Sequence, residues 1–279
     1  MEYTVNNLWL KKKLKKLKEI ILWFMGDSNP EYHATFWPEI QIKKFDDHLL
    51  VMRGLKTLCQ ASYIRDFSFQ KSVISIIGSG PSVNAARFHD VFQDSDVVVL
   101  NGAMNVSLEH QVVPYLWIIV DVSFARERID LIRNAKAGTK LLTTVEVIKE
   151  LYECEPVLLE KFSVYITHPC KSRCSLMQVD LDVGYVEAGT VMAVALQLCL
   201  QKNAQELFLF GFDIGGTRFY HEGDNVLKSG LVRDYERFIL PFMKECSFVA
   251  ETKGIKLYNC SASSLLPYSV VNYSGKYNV

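Results

Sequence analysis

What this chain lacks narrows it first. Its 31 Lys and Arg balance its 31 Asp and Glu, so there is no net charge of either sign and no general nucleic-acid partner is expected. The apolar stretch at residues 20–25 is far too short to span a bilayer, which needs roughly 20 residues. It is also short for a signal-peptide core, and no A-x-A cleavage pattern follows it. The 7 cysteines form an odd set without the spacing of a disulfide scaffold. Cys199, inside an apolar run, behaves as a small hydrophobe, and a reducing cytoplasm is the expected setting. Cys170 and Cys174, with His168 nearby, lack the second ligand pair of a zinc site, so no metal is expected. Internal repeats are absent. With 279 residues, 49% hydrophobic and 22% charged, the chain suits one globular α/β domain with a small appendage.

Charge is present but unevenly spread. Six of the eight residues at 11–18 are lysine. In the surrounding segment Leu10, Leu14, Leu17, Ile21 and Phe24 recur at helical spacing, while Lys11, Lys12, Lys15 and Lys18 fall on other faces. Trp9 and Trp23 stand near either end, where amphipathic rings suit a membrane interface. Residues 1–28 are therefore expected to form a basic amphipathic helix whose residues 8–25 lie on an anionic membrane surface. Each lysine there is worth roughly 1 kcal/mol. The competing expectation is a basic helix packed on its own domain or against a partner protein.

Residues 73–84 read V-I-S-I-I-G-S-G-P-S-V-N, a buried strand running into a glycine turn and a helix. Gly78 and Gly80 permit a tight turn, and Pro81 and Ser82 suit a first helical turn. Amides at such a turn can cradle a phosphate, so Gly78, Ser79, Gly80, Pro81 and Ser82 are candidate nucleotide-binding residues. The dinucleotide pattern is incomplete, because Val83 stands where a third glycine belongs. The next strand ends in Asn101 rather than in the ribose-binding acid of NAD enzymes, and no Walker A lysine follows the glycines. NAD is disfavoured. A purely structural strand-turn-helix is the alternative.

Downstream the pattern becomes regular. Strands are expected at 73–77, 97–100, 115–120, 140–143, 163–166, 207–211 and 255–259, with helices at 82–93, 123–134, 145–152, 188–201 and 231–252. This alternation implies βαβ units and a single Rossmann-like parallel sheet. Residues 46–60, carrying Leu49, Leu50, Leu55 and Leu58, read as a helix, and 213–230 as a polar segment with four glycines. Ligands of open parallel sheets bind beyond the carboxyl ends of the strands. Residues 78–82, 101–105, 121–123 and 211–220 should therefore converge. Asp121 follows a fully apolar strand, and Asn101 and Asn105 offer both donors and acceptors, or else turn chemistry. Asp180 and Asp182 form a D-x-D, a pattern too short to invoke a metal.

Three pieces, I-G-S-G-P-S at 77–82, V-L-N-G at 99–102 and L-F-L-F-G-F-D at 207–213 preceded by A-G-T at 188–190, resemble bacterial glycosyltransferases that use CMP-activated sugars. The chain is similar to the CMP-sialic-acid sialyltransferases. It is more closely similar to the lipopolysaccharide-core enzymes that add a third Kdo (3-deoxy-D-manno-octulosonic acid). That second likeness rests on V-P-Y-L-W-I-I-V-D-V-S-F at 113–124 with Arg128 and Asp130, on Asp180, Gly184 and Tyr185, on R-F-Y-x-E at 218–222, and on Arg233-Asp234 before I-L-P-F at 239–242. It covers roughly residues 73–268. The resemblance implies a GT-A-type domain over 29–279 with a lid at about 213–230, CMP-Kdo as donor, lipopolysaccharide as acceptor, and work on the cytoplasmic face of the inner membrane. It implies donor contacts at Gly78, Ser79, Gly80, Pro81, Ser82, Asn101, Gly102, Tyr185, Gly189, Thr190 and Asp213.

A departing nucleoside monophosphate needs cationic and hydroxyl groups rather than a metal, and Arg218, Tyr220 and Tyr185 are available for that. The acceptor hydroxyl needs a base, for which Asp121, His221 and Asp234 are candidates with Glu222 behind them. Tyr185 stands where the sialyltransferases carry an arginine, and His221 does not align with their histidine, so the base stays open among these. A sialyltransferase, or a non-enzymatic or methyltransferase-like nucleotide-binding module, are the alternatives.

Overall fold

In a computed structural model, residues 2–27, 29–170, 175–202, 204–214 and 230–278 are described, with side chains from Leu10 onward. The centre is an eight-stranded sheet. Its strands are β4 (Val73–Ile77), β5 (Asp96–Leu100), β6 (Leu116–Ile119), β7 (Lys140–Thr143), β8 (Ser163–Ile166), β11 (Glu206–Phe210), β12 (Lys256–Asn259) and β13 (Asn272–Tyr273). The spatial order is β13-β12-β11-β4-β5-β6-β7-β8, and every pairing is parallel. Chain order and spatial order part company at β4, which has β5 on one side and β11 on the other.

Two apolar layers cover the sheet, and they divide its residues with period two. Val98, Leu100, Leu116, Ile118, Leu207 and Leu209 face the helices Val191–Gln201 and Leu240–Thr252. Val97, Val99, Trp117, Ile119, Phe208 and Phe210 face the other layer, which includes the helices Phe88–Asp94 and Val145–Cys154. Because both faces are buried, these strands read as continuous apolar runs. The helix Val191–Gln201 is buried nearly all round and carries one polar residue with no exposure, Gln197. The Gln197 amide accepts the Val186 N–H and donates to the Val186 carbonyl, standing in for a neighbouring strand beside β10 (Tyr185–Val186), which among the described residues pairs with β9 (Pro169–Cys170).

Several expected elements are corrected. Residues 46–60 are not a helix. They contribute to a second, antiparallel sheet of β1 (Ile40–Lys44), β2 (Leu49–Arg53) and β3 (Lys56–Ala61), so the parallel sheet is not the only one. The apolar spacing was ambiguous there, and Gly54, at φ +61, makes the hairpin turn that a helix would not use. The expected helix 82–93 is two pieces, a 3-10 turn Pro81–Ala85 and a helix Phe88–Asp94. Between them the carboxyl-terminal segment intrudes: Arg87 donates its N–H to the Tyr277 carbonyl at 2.7 Å. The helix 231–252 carries a π turn at Tyr235–Ile239, immediately before Pro241. Proline has no N–H for the preceding turn, and a wider turn accommodates that.

The amino-terminal helix α1 spans Glu2–Phe24. Leu10, Leu14, Leu17 and Phe24 are 51–77% exposed, Trp23 is exposed beside them, and Leu22 is buried. The helix is tied down near its end by Lys18, which donates to the Trp37 carbonyl at 2.6 Å. No helix among the described residues is long and apolar enough to cross a membrane.

Candidate active site

The reversal of strand order at β4 puts a crevice at the carboxyl ends of β4 and β11, where open parallel sheets receive ligands. The loops after these strands are bound to each other. Gly78 donates its N–H to the Phe210 carbonyl at 2.8 Å, and Gly80 donates to the Gly211 carbonyl at 3.1 Å. Ser82 donates its N–H to Asp213 Oδ2 at 2.6 Å. A Cβ at Gly78 would stand 2.7 Å from the Gly211 carbonyl oxygen, and one at Gly80 would stand 2.5 Å from Asp213 Oδ2, so both glycines are required by close approach. The amides of Gly78, Gly80 and Ser82, three of those expected to cradle a phosphate, are donated within the protein. The incomplete glycine pattern thus serves the crossing of two loops.

What the crevice offers is different. Asp213 is buried, and its Oδ1 has no hydrogen-bond partner among the described residues. The Oδ1 of Asn101 is likewise buried and unpartnered, while the backbone there adopts φ +44, a conformation asparagine tolerates, and its carbonyl accepts the Trp117 indole N–H at 2.9 Å. Gly102 lies beside Ser79 and Phe124: a Cβ on it would be 3.9 Å from Ser79 Cβ and 3.8 Å from Phe124 Cε2. The loops after β4, β5, β6 and β11 therefore meet, as the strand-end rule requires.

Asp121 is exposed at the end of β6 and caps the helix Val122–Glu127, its Oδ1 accepting the Ser123 N–H at 2.8 Å and the Phe124 N–H at 3.3 Å. Its Oδ2 receives no hydrogen bond from a described residue. Asp234 lies against the turn before the helix Val191–Gln201: a Cβ on Gly189, whose φ is +70, would be 3.1 Å from Asp234 Cβ. Thr190 caps that helix, accepting the Met192 N–H at 3.3 Å. Arg233 grips Asp234 through two bonds, Nε to Oδ1 at 2.9 Å and Nη2 to Oδ2 at 2.8 Å. That guanidinium, through these bonds, holds the Asp234 carboxyl below the usual carboxylate range. Tyr185 is buried in the apolar layer, and burial, then Glu187 and Glu146, push its phenol upward, so it stays protonated and able to donate. Arg218, Tyr220, His221 and Glu222, with residues 215–229 of the segment expected to act as a lid (about 213–230), lie outside the described residues.

The D-x-D carboxylates have structural duties. Asp182 accepts the Ile64 and Arg65 N–H groups at 2.7 and 2.9 Å, and Asp180 accepts the Asp182 N–H at 3.0 Å. Among the described residues no group of three or more His, Cys, Asp or Glu side chains could hold a metal ion. Two residues absent from the sequence reading belong to the crevice: Asn259 and Ser261, at the end of β12, both fully buried. Ser261 Oγ accepts the Phe212 N–H at 2.9 Å and the Ser82 hydroxyl at 2.9 Å. The strand-end rule, applied to the last expected strand, 255–259, points to both.

No family model matches the chain. It is 25% identical over 235 residues, 72% of this chain and 81% of the other, to an Escherichia coli K12 protein named "Probable 3-deoxy-manno-octulosonic acid transferase". It is 22% identical over 230 residues, 70% of this chain and 84% of the other, to a Salmonella typhimurium LT2 protein of the same name. Among solved structures, the MAf glycosyltransferase of Magnetospirillum magneticum AMB-1 matches with a TM-score of 0.49 at 15% identity over 71% of this chain, which spans only 33% of that one. The Campylobacter jejuni sialyltransferase CstII with cytidine-5'-monophosphate matches with a TM-score of 0.48 at 16% identity, covering 76% of this chain and 88% of that one. This chain is a distant relative of the enterobacterial proteins named for 3-deoxy-manno-octulosonic acid transfer.

Proposed function

We propose that this chain is a CMP-sugar glycosyltransferase that moves Kdo from CMP-Kdo onto the inner core of lipopolysaccharide, using a GT-A-type domain and no metal. The observation that carries this reading is the crevice itself: loops from β4, β5, β6 and β11 meet at the switch of strand order, and Asp213 and Asn101 keep buried, unpartnered acceptors there. Such acceptors suit hydroxyl and amino groups of a nucleoside. Two relatives named for Kdo transfer support the choice of sugar.

In this reading the donor lies across the ends of β4, β5 and β11, and the leaving phosphate is met by Tyr185, Arg218 and Tyr220 rather than by the Gly78–Ser82 amides. Developing negative charge on a nucleoside monophosphate needs donors and cations. Asp121 is the base for the acceptor hydroxyl, because one of its oxygens is held by the helix cap and the other is free of described donors. The sugar carbon, turning oxocarbenium-like, also gains from a carboxylate nearby.

The acceptor is lipid-linked, and α1 supplies the means to reach it. Its exposed Leu10, Leu14, Leu17, Trp23 and Phe24 with the lysines of residues 11–18 suit the cytoplasmic face of an anionic inner membrane. The test is a transfer and donor-hydrolysis panel with CMP-Kdo and CMP-sialic acid, alongside binding of CMP, AMP and S-adenosylmethionine. Turnover of CMP-Kdo alone is expected. Turnover of CMP-sialic acid alone would make the chain a sialyltransferase, and binding of AMP or S-adenosylmethionine in preference to CMP, without turnover, would make it a binding module.

A further inference from the structure

Among the described residues, three features outside the proposed chemistry stand out: the joint of Asp27, His33 and His168, the open groove beside α1, and the end of β12. The last is built most completely. Asn259 has no exposure, and its Oδ1 accepts the Ser261 N–H at 3.0 Å. An amide nitrogen cannot accept that proton, so the bond fixes which way the Asn259 amide points. Ser261 Oγ then takes the Phe212 N–H and the Ser82 hydroxyl. Through Ser82 the chain of bonds continues to Asp213, which accepts the Ser82 N–H. One buried residue pair thus connects three loops, those after β4, β11 and β12.

We propose that Asn259 and Ser261 are positioning residues for the nucleotide of the donor, holding the β4 loop and Asp213 at the spacing the nucleotide requires. The inference rests on the reading of a CMP-sugar site above. Two observations separate it from ordinary packing. Ser82, the loop end of the bolt, is partly exposed at the crevice, so its hydroxyl bond to Ser261 forms where water could have served. At the same strand ends Asn259 Nδ2 and Asp213 Oδ1 are a buried donor and a buried acceptor with no described partner. Leaving such groups unpaired is costly in a fold and is tolerated where a polar ligand satisfies them.

The experiment is calorimetric binding of CMP to the full chain and to Ser82→Ala, Ser82→Thr, Ser261→Ala and the double alanine variant, with thermal midpoints recorded in parallel. Ser82→Ala and Ser261→Ala should each weaken CMP by about 10-fold, the double variant should be no weaker than either, and Ser82→Thr should bind within about 2-fold of the parent. Ser82→Ala should keep the parent midpoint, which a purely structural role for the bond would lower instead. Undiminished CMP binding by Ser82→Ala, or losses that add in the double variant, would overturn the inference. Should Ser261→Ala fail to fold, the Ser82→Ala and Ser82→Thr pair decides alone. A parent chain that does not bind CMP at all would overturn the donor reading itself, which is a distinct result.

Discussion

Gly211 and Leu17 mark two extremes of this chain. At Gly211 a single added carbon would overlap the Gly78 carbonyl and stand 2.5 Å from Val83 Cγ2. Leu17, by contrast, is 54% exposed on a helix that also leaves Leu10, Leu14, Trp23 and Phe24 exposed and buries Leu22. The sheet crest spends its polar groups internally, loop against loop, and keeps only a few buried oxygens and one amide nitrogen in reserve. The amino-terminal helix does the reverse, leaving apolar surface in water where the fold gains nothing from it. A close-packed crest fixes geometry for small polar ligands, and an uncovered apolar face suits a large apolar one.

The comparison breaks most sharply at Gly211. Gly211→Ala meets a backbone at φ +61 and an immovable neighbour, and should cost roughly 4 kcal/mol or more in urea unfolding, since αL strain alone is about 1–2 kcal/mol. Gly254→Ala is the control. Its φ is +71 but nothing lies within 4 Å of its Cβ, so only the strain remains. Equal losses at the two positions would show that the loop crossing is not tight.

A second buried site lies where the chain leaves α1. Asp27, just after α1, holds His33 Nδ1 at 2.7 Å, and His33 meets His168 at a ring separation of 4.9 Å, while Tyr32 stacks on His168. Burial, then the neighbouring His33, pushes His168 from 6.5 down to about 4, with Lys44 acting the same way and Asp27 opposing. The unfolded chain therefore takes up this proton first. The stabilisation is fully present above about pH 6.5 and lost as pH falls towards about 4, amounting to roughly 3 kcal/mol. His168→Phe keeps a ring for Tyr32 but cannot titrate, so its unfolding free energy should fall less steeply than that of the parent over this range. Parallel pH curves would remove His168 from the account. Asp27, whose carboxyl lies below the usual range because His33 bonds it against the opposing effect of burial, loses its contribution at still lower pH.

The parallel sheet was legible because its central strands are buried on both faces: β5 (DVVVL) and β6 (LWII) are buried at every position and apolar at nearly every one, and β4, β7 and β8 have the bounds expected of them. The hairpin β2–β3 was not, since Leu49, Leu50, Leu55 and Leu58 fit helical and strand patterns alike until Gly54 is seen to turn. The convergence of strand ends followed from topology. The use of each group did not: an Asp213 oxygen spent on Ser82 and an Asp182 spent on the Ile64 and Arg65 amides are tertiary facts, invisible to spacing, whereas the Arg233–Asp234 pair joins sequence neighbours.

Asp121 allows structure and chemistry to be separated at the crest. Asparagine caps helices about as well as aspartate, so Asp121→Asn should keep the Ser123 bond and leave stability within a few tenths of a kcal/mol. Asp121→Ala should cost about 1 kcal/mol. If the carboxylate is the base, both variants should lose transfer by at least about 100-fold. An active Asp121→Asn enzyme would reduce this residue to a helix cap.

The smallest effect on folding is expected on α1. Leu14 and Leu17 are 51% and 54% exposed, so Leu14→Gln with Leu17→Gln removes little buried area and should shift stability by no more than about 0.5 kcal/mol. The same pair should sharply reduce sedimentation with anionic vesicles, because each buried leucine contributes roughly 1.5–3 kcal/mol to an apolar interface. Replacing Lys11 and Lys12 by glutamine should weaken vesicle binding in a salt-dependent way and again leave folding untouched. Marked destabilisation by the leucine pair would mean that the helix packs on its own domain after all, and unchanged vesicle binding with unchanged stability would assign the face to a protein partner. Only a large loss of vesicle binding without a loss of stability separates a face built for a membrane from one built for the fold.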